Sequence, residues 1–285
     1  MNTEIRSSRA LQPQPNSAYL IGWFATASSA LGFGFFLIAL GQTIFQIYFP
    51  GSGLRTGWPM AFFIMGAMVA TLMSLSRQLP GQNVMLGATI IAAVGGIAHG
   101  IASHTGIPFG PFSYSSTAGP KLFSSAAWFV PLLWVIIVIN ARGVARLIMK
   151  PWRKTKNYGF WVIGVTGVLV FLFDLALEPF ATRVHGYWIW MPTKFPWNWN
   201  GMPLINALSW ALIAVLALAF ATPSLINKHS RSKKFPPQLH PLFVWVLLLS
   251  LFATGAGLHS LWSAMWLAIG TAVLSVVFAI RGLNW

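Results

Sequence analysis

Apolar runs of about 20 residues recur along nearly the whole of this sequence, and they constrain its fold more than any other feature. A helix that crosses a bilayer needs ~20 predominantly apolar residues. In hydrocarbon every backbone N–H and C=O must also find a partner inside the protein. Such runs extend from about Ala18 to Tyr48, Trp58 to Leu75, Val84 to Ser103, Ser124 to Met149, Tyr158 to Phe180 and Met202 to Ala221. The last run, His240 to Arg281, is about twice the spanning length and is interrupted by Gly255, Gly257, His259 and Ser260. It reads as two helices with a tight turn. The expectation is an all-α integral membrane protein, a polytopic bundle of about eight transmembrane helices. Residues 18–285 form one helical domain, preceded by a tail at 1–17. Arg6 and Arg9 resemble the charged region of a signal peptide, but the apolar run after them is too long for its core. The tail is therefore expected to be flexible and cytoplasmic.

Composition narrows the classes further. Only 7% of residues are charged, against roughly a quarter in soluble domains, which excludes a soluble globular enzyme, a disordered chain and a coiled coil. The absence of Cys removes thiolate nucleophiles, iron–sulfur clusters and Cys-ligated zinc. Lys and Arg number 18 against 3 acids. They sit in short loops between apolar runs, where they set topology, so no nucleic-acid partner is expected. With eight helices, 14 of the basic residues share a side with both termini; only Arg55, Lys121, Arg183 and Lys194 lie opposite. Both termini are then cytoplasmic. With seven helices only Arg281 changes sides. The stretches Arg142 to Lys156 and Lys228 to Lys234 read first as topology determinants and second as anchors on anionic membrane lipid.

Two acids break the apolar pattern. Glu4 is in the tail, but Asp174 and Glu178 lie inside the fifth run. Their i,i+4 spacing puts both on one helix face. Intramembrane acids are costly unless paired, hydrated or protonated, which makes them functional candidates. Pro179 is expected to stop or kink this helix, leaving Asp174 roughly 7–8 Å below its outer end. By the same count His99 lies about five residues below His104 on the third helix, at similar depth. The pair should share one proton or find a partner such as His99, placing a proton donor beside an acceptor. The structural alternative is a helix-end pair with Arg183. His99, His104, Asp174, Glu178 and His185 could converge on a metal, but no compact ligand motif occurs, and no metal is expected. No phosphate-cradling loop, dinucleotide fingerprint or nucleophile elbow occurs either.

The loops outside the third and fifth runs are rich in Gly, Pro and aromatics, as in an interfacial belt. Tyr187, Trp188, Trp190, Trp197 and Trp199 are denser than one hairpin anchor needs. Gly32, Gly34 and the Gly95-Gly96 pair read as helix-packing contacts.

In these loops Thr105-Gly-Ile-Pro-Phe-Gly110, then Tyr114 and Gly119-Pro120-Lys121-Leu122, form one block. Asp174-Leu-Ala-Leu-Glu-Pro179, Ala181, Gly186, Trp188, Trp190, Gly201-Met-Pro-Leu204, Asn206 and Trp210 form a second. Together, from about His99 to Trp210, they resemble the membrane carotenoid hydratases, the carotenoid 1,2-hydratase or bisanhydrobacterioruberin hydratase-like proteins. Two departures stand out: His99 occupies a position where that family usually has an acid, and Phe112 one where it usually has Tyr.

The resemblance implies a carotenoid biosynthesis enzyme, a hydro-lyase that adds water to the terminal double bond of an acyclic carotenoid end. It also implies a lipophilic carotenoid substrate and a multi-pass protein of a bacterial or archaeal plasma membrane. The residues fit this chemistry independently. Hydrating an unactivated alkene needs a general acid, stabilisation of a tertiary carbocation, and a delivered water. A buried carboxylic acid can supply the proton, and Trp and Tyr faces stabilise a cation by ~0.5–2 kcal/mol each. Asp174 is the expected acid and Glu178 the water-orienting base, with the roles open to reversal, and His99 completes the catalytic set. His104, Phe109, Tyr114, Trp188, Trp190, Asn206 and Trp210 are the expected substrate contacts. No cofactor is required. A non-catalytic carotenoid- or lipid-binding subunit and a proton-coupled transporter are the alternatives.

Overall fold

The structure, a computed structural model, describes residues 15–49, 58–226 and 239–285. Most of the tail, Arg55 and the Lys228-to-Lys234 loop lie outside the described residues. Eight described helices are long and apolar enough to cross a membrane: α1 (Pro15–Tyr48), α2 (Trp58–Ser76), α3 (Gly81–Thr105), α4 (Val130–Ile148), α5 (Tyr158–Pro179), α6 (Ile205–Leu225), α7 (His240–Leu258) and α8 (Trp262–Leu283). The chain is a multi-pass integral membrane protein. The division of the last apolar run holds: α7 ends at Leu258, and a turn through Ser260, with φ of 58°, starts α8.

α4 is the hub, packing against α2, α3, α5, α7 and α8. Its residues Trp134 to Ala141 are all buried. Leu31 and Ile38 of α1, Met85 and Ile97 of α3, Leu212 and Phe220 of α6, and Trp266 and Val273 of α8 are exposed. That apolar exterior is what a bilayer-facing surface requires. Close approaches depend on small residues. A Cβ on Gly95 would run into the Trp134 ring, and one on Gly96 would lie 3.1 Å from Pro131. Gly32 similarly abuts Val69, whereas Gly34 faces open space and makes no such contact.

The basic end of α4 has a structural task. Arg142 donates to Leu225 O at the C-terminus of α6, and Lys150 to Leu283 O at that of α8, each at 3.0 Å. Arg146 donates to Gln78 Oε1. Cations at helix C-termini satisfy orphan carbonyls and oppose the helix dipole. These three residues therefore clamp neighbouring elements.

Two helix starts fall later than the hydropathy reading. α4 begins at Val130 rather than Ser124, because Phe123 and Ser124 take positive φ and Ala126–Ala127 (β3) pairs back onto Lys121–Leu122 (β2). α6 begins at Ile205 because Met202–Pro203 (β6) pairs with Asn198–Trp199 (β5) around Asn200-Gly201, both at positive φ. This is the Asn-Gly hairpin signal.

Candidate functional site

Pro179 shapes the site: it is the last residue of α5, as expected, and the helical hydrogen-bonding pattern changes there. The chain continues through a π turn, Phe180–Val184, closed by His185 N–H donating to Phe180 O. Asp174 is thus five residues from the end of α5 and ten from the end of the π turn that prolongs it. Proline has no N–H, so the carbonyl four residues back loses its helical donor. That carbonyl is Leu175 O, and the Trp199 indole N–H takes it at 2.8 Å. The β5–β6 hairpin is fastened onto α5 beside the acids in this way.

A two-stranded ribbon joins the loops after α3 and α5. Phe112–Tyr114 (β1) pairs antiparallel with Trp188–Trp190 (β4), with Phe112 opposite Trp190 and Tyr114 opposite Trp188. Side chains alternate along a strand. Ser113 and Ile189 accordingly face out, while Phe112, Tyr114 and Trp188 are buried and Trp190 is half-buried.

Asp174, Glu178 and Asn206 are at most 2% exposed. The Asn206 amide donates to Asp174 Oδ2 at 2.8 Å and to Glu178 Oε1 at 3.0 Å. Glu178 Oε2 accepts both indole N–H groups, from Trp188 at 3.1 Å and Trp190 at 3.0 Å. Met202 Sδ lies 3.1 Å from the same Asn206 nitrogen. Among the described residues, every hydrogen bond accepted by these carboxyl groups comes from an uncharged side chain. Arg183 does not pair with Glu178; its guanidinium reaches Asn200 O at 3.4 Å. Asp174 Oδ1 is buried and has no partner.

His99 joins the site without touching the acids. Its Nδ1 is hydrogen-bonded to the Tyr114 hydroxyl at 3.1 Å, not to Asp174. Its ring stacks on Phe109 at 4.3 Å and meets Phe112, Trp134 and Trp210 edge-on. Trp134 and Trp210 are themselves stacked, 4.2 Å apart. Trp210 stands one turn along α6 from Asn206, so the aromatic cluster and the acid pair share a helix face. Burial pushes the Tyr114 hydroxyl above its ordinary value, so it remains a neutral O–H.

Phe109, Tyr114, Trp188, Trp190, Asn206 and Trp210 therefore converge around Asp174, Glu178 and His99. His104 does not: it is exposed and bonded to Ser125 Oγ. His185 also stands apart, stacked on Tyr187. Burial, with His259 nearby, holds its imidazole down at about 4. Among the described residues no three His, Asp or Glu side chains form a metal-binding group. Trp134 was not anticipated, and Trp199 and Met202 stood out only as part of the aromatic loop and of the second sequence block, not as contacts of the site. Asn200-Gly201 could have announced the hairpin carrying two of them; Trp134, inside a uniformly apolar helix, had no local signal.

Residues 56–279 match the family described as carotenoid biosynthesis protein. This chain belongs to that family. The matched region takes in α2 to α7, most of α8 and every residue of the site. No curated protein and no solved structure gives a match. A role in carotenoid biosynthesis follows from the membership, and the resemblance of the two sequence blocks is narrower than it.

Proposed function

We propose that this member of the carotenoid biosynthesis family hydrates the terminal double bond of an acyclic carotenoid end, with Asp174 as general acid and Glu178 as general base. The observation that carries the reading is a fully buried carboxyl pair, held only by neutral donors and roofed by aromatic rings. Two carboxyls so close in a dry site avoid double ionisation by carrying one proton between them. Both oxygens of Glu178 accept hydrogen bonds, as a carboxylate does, whereas Asp174 Oδ1 is free to hold the proton.

In the reaction, the alkene π pair takes the Asp174 proton and forms a C–H bond at the less substituted carbon. The tertiary carbocation left behind lies among the Trp188, Trp190, Phe112 and Tyr114 rings, whose faces stabilise it. Water attacks the cation, and Glu178 accepts the proton that this water releases. The pair has lost one proton and gained one, so the net change is addition of water. His99, hydrogen-bonded to Tyr114, positions that ring rather than replacing a third acid. The basic loops support an orientation with both termini inside.

A pigment-binding subunit is the second reading, favoured by a large apolar cavity that the acids do not line. Cells producing lycopene and expressing Asp174→Asn separate the two. The variant should fold and bind pigment, while hydroxylated product falls roughly 10²–10⁴-fold, the usual contribution of a general acid. Wild-type product from this variant would leave the binding reading standing.

A further inference from the structure

The acids are sealed. Neither lines the large apolar cavity, so the hydration reading leaves open where the long apolar body of the substrate goes. That cavity is a partly open chamber of about 970 Å³, mostly apolar and lined by α1, α2, α4, α5 and α7 with the loop at Thr117–Pro120. That volume is at the top of the ~300–1,000 Å³ range of small-molecule sites. The chamber and the acid pair occupy adjacent faces of α5. Phe173, Leu177 and Ala181 face the chamber. Asp174 and Glu178 each follow one of these by a single residue, a rotation of about 100° on a helix. Trp188 belongs to both sides: it lines the chamber, and its indole N–H is bonded to Glu178 Oε2 at 3.1 Å.

From this geometry we infer that the chamber holds the polyene chain of an acyclic carotenoid, and that Trp188 is the partition between the polyene end and the acid pair. The inference rests on the hydration reading for its substrate and adds the binding site. The occupant is fixed by three features: the apolar wall, the volume, and contact through a single side chain with the groups that act on an alkene. Trp188 is displaced by the cost of one neutral-to-carboxylate hydrogen bond, and Glu178 keeps its bonds from Trp190 and Asn206 while this happens.

Ala67 of α2 and Ile136 of α4 line the chamber from helices other than the one that carries the acids, both at most 2% exposed. Ala67→Phe and Ile136→Trp fill it and leave every hydrogen bond of the acid pair intact. The full chain is purified in detergent from lycopene-producing cells, and bound pigment per protein is read by absorbance beside hydroxylated product. Each variant is expected to lose pigment and product together, roughly tenfold or more. Each should still hydrate a short acyclic isoprenoid with the same terminal alkene. Wild-type pigment and product in both variants overturns the chamber assignment.

Photolabelling of the wild-type chain in membranes, with an acyclic isoprenoid bearing a diazirine, tests the same assignment without any variant. Label is expected on Ala67, Ile136 and Leu177. Label confined to the outward-facing Phe62, Met65 and Leu212 overturns it. Asp174→Asn is run in parallel, and it should keep pigment and lose product. If it hydrates normally the acid chemistry fails while the chamber stands; if it is inactive but the filled variants bind normally, the chamber fails while the acid chemistry stands.

Discussion

Asn206→Leu tests the arrangement at its narrowest point, because one amide nitrogen holds both carboxyl groups. Leu has nearly the same shape as Asn, so the change removes donors with little loss of packing. Two hydrogen bonds disappear, at 2.8 Å to Asp174 and 3.0 Å to Glu178. A bond to a charged acceptor contributes ~1.5–3 kcal/mol and one to a neutral acceptor ~0.5–1.5 kcal/mol. With one carboxyl ionised and one protonated, the expected loss is about 2–4 kcal/mol of unfolding free energy. Two carboxylates would instead lose about 3–6 kcal/mol. Titration of the micelle-bound protein with a denaturing detergent, followed by near-ultraviolet circular dichroism, measures the difference. Asp174→Asn repeated in the Asn206→Leu background should cost less than the two single losses added, by 0.5 kcal/mol or more, since the side chains share a bond. A loss under about 0.5 kcal/mol for Asn206→Leu, the scale of an ordinary surface change, would refute the clamp and with it the ordered acid pair.

Four further outcomes are expected. His99→Glu places an acid beside Tyr114 and not against Asp174, so hydration should persist at reduced protein stability; complete loss of product in a folded variant would show that His99 does more than position Tyr114. Gly95→Ala drives a Cβ into Trp134 and should cost ~1–3 kcal/mol by overpacking, visible as a change in the near-ultraviolet signal of the Trp134–Trp210 stack; an unchanged signal contradicts the close approach. His185 is held down at about 4 in the folded protein, against about 6.5 in the unfolded chain. The unfolded chain therefore binds the extra proton between those values, and stability should fall as pH drops from about 6.5 to 4, with His185→Phe blunting the fall; identical pH profiles would exclude His185 as the cause. Reporter fusions should read inside at Lys154 and outside at Lys194, and a cytoplasmic signal at Lys194 would reverse the topology.

The sequence by itself determined the membrane class, the eight spans and the acid pair. Hydropathy is a local property, and the i,i+4 spacing of Asp174 and Glu178 carries its geometry along one helix wherever that helix packs. It also determined the break between α7 and α8, since a run of twice the spanning length has to turn back; the turn itself falls at His259 and Ser260, while Gly255 and Gly257 stay within α7. The tertiary structure decided what surrounds the acids. Asn206 is 28 residues from Glu178, and the β1–β4 ribbon joins segments some 75 residues apart. No local pattern encodes such pairings, because they depend on how α3, α5 and α6 lie against one another. For the same reason His99 took Tyr114 instead of Asp174 and His104 was left at the surface. The π turn that prolongs α5 past Pro179 was decided there too: a proline removes one donor, and whether the chain turns on past it depends on whether a distant group such as the Trp199 indole can take the freed carbonyl.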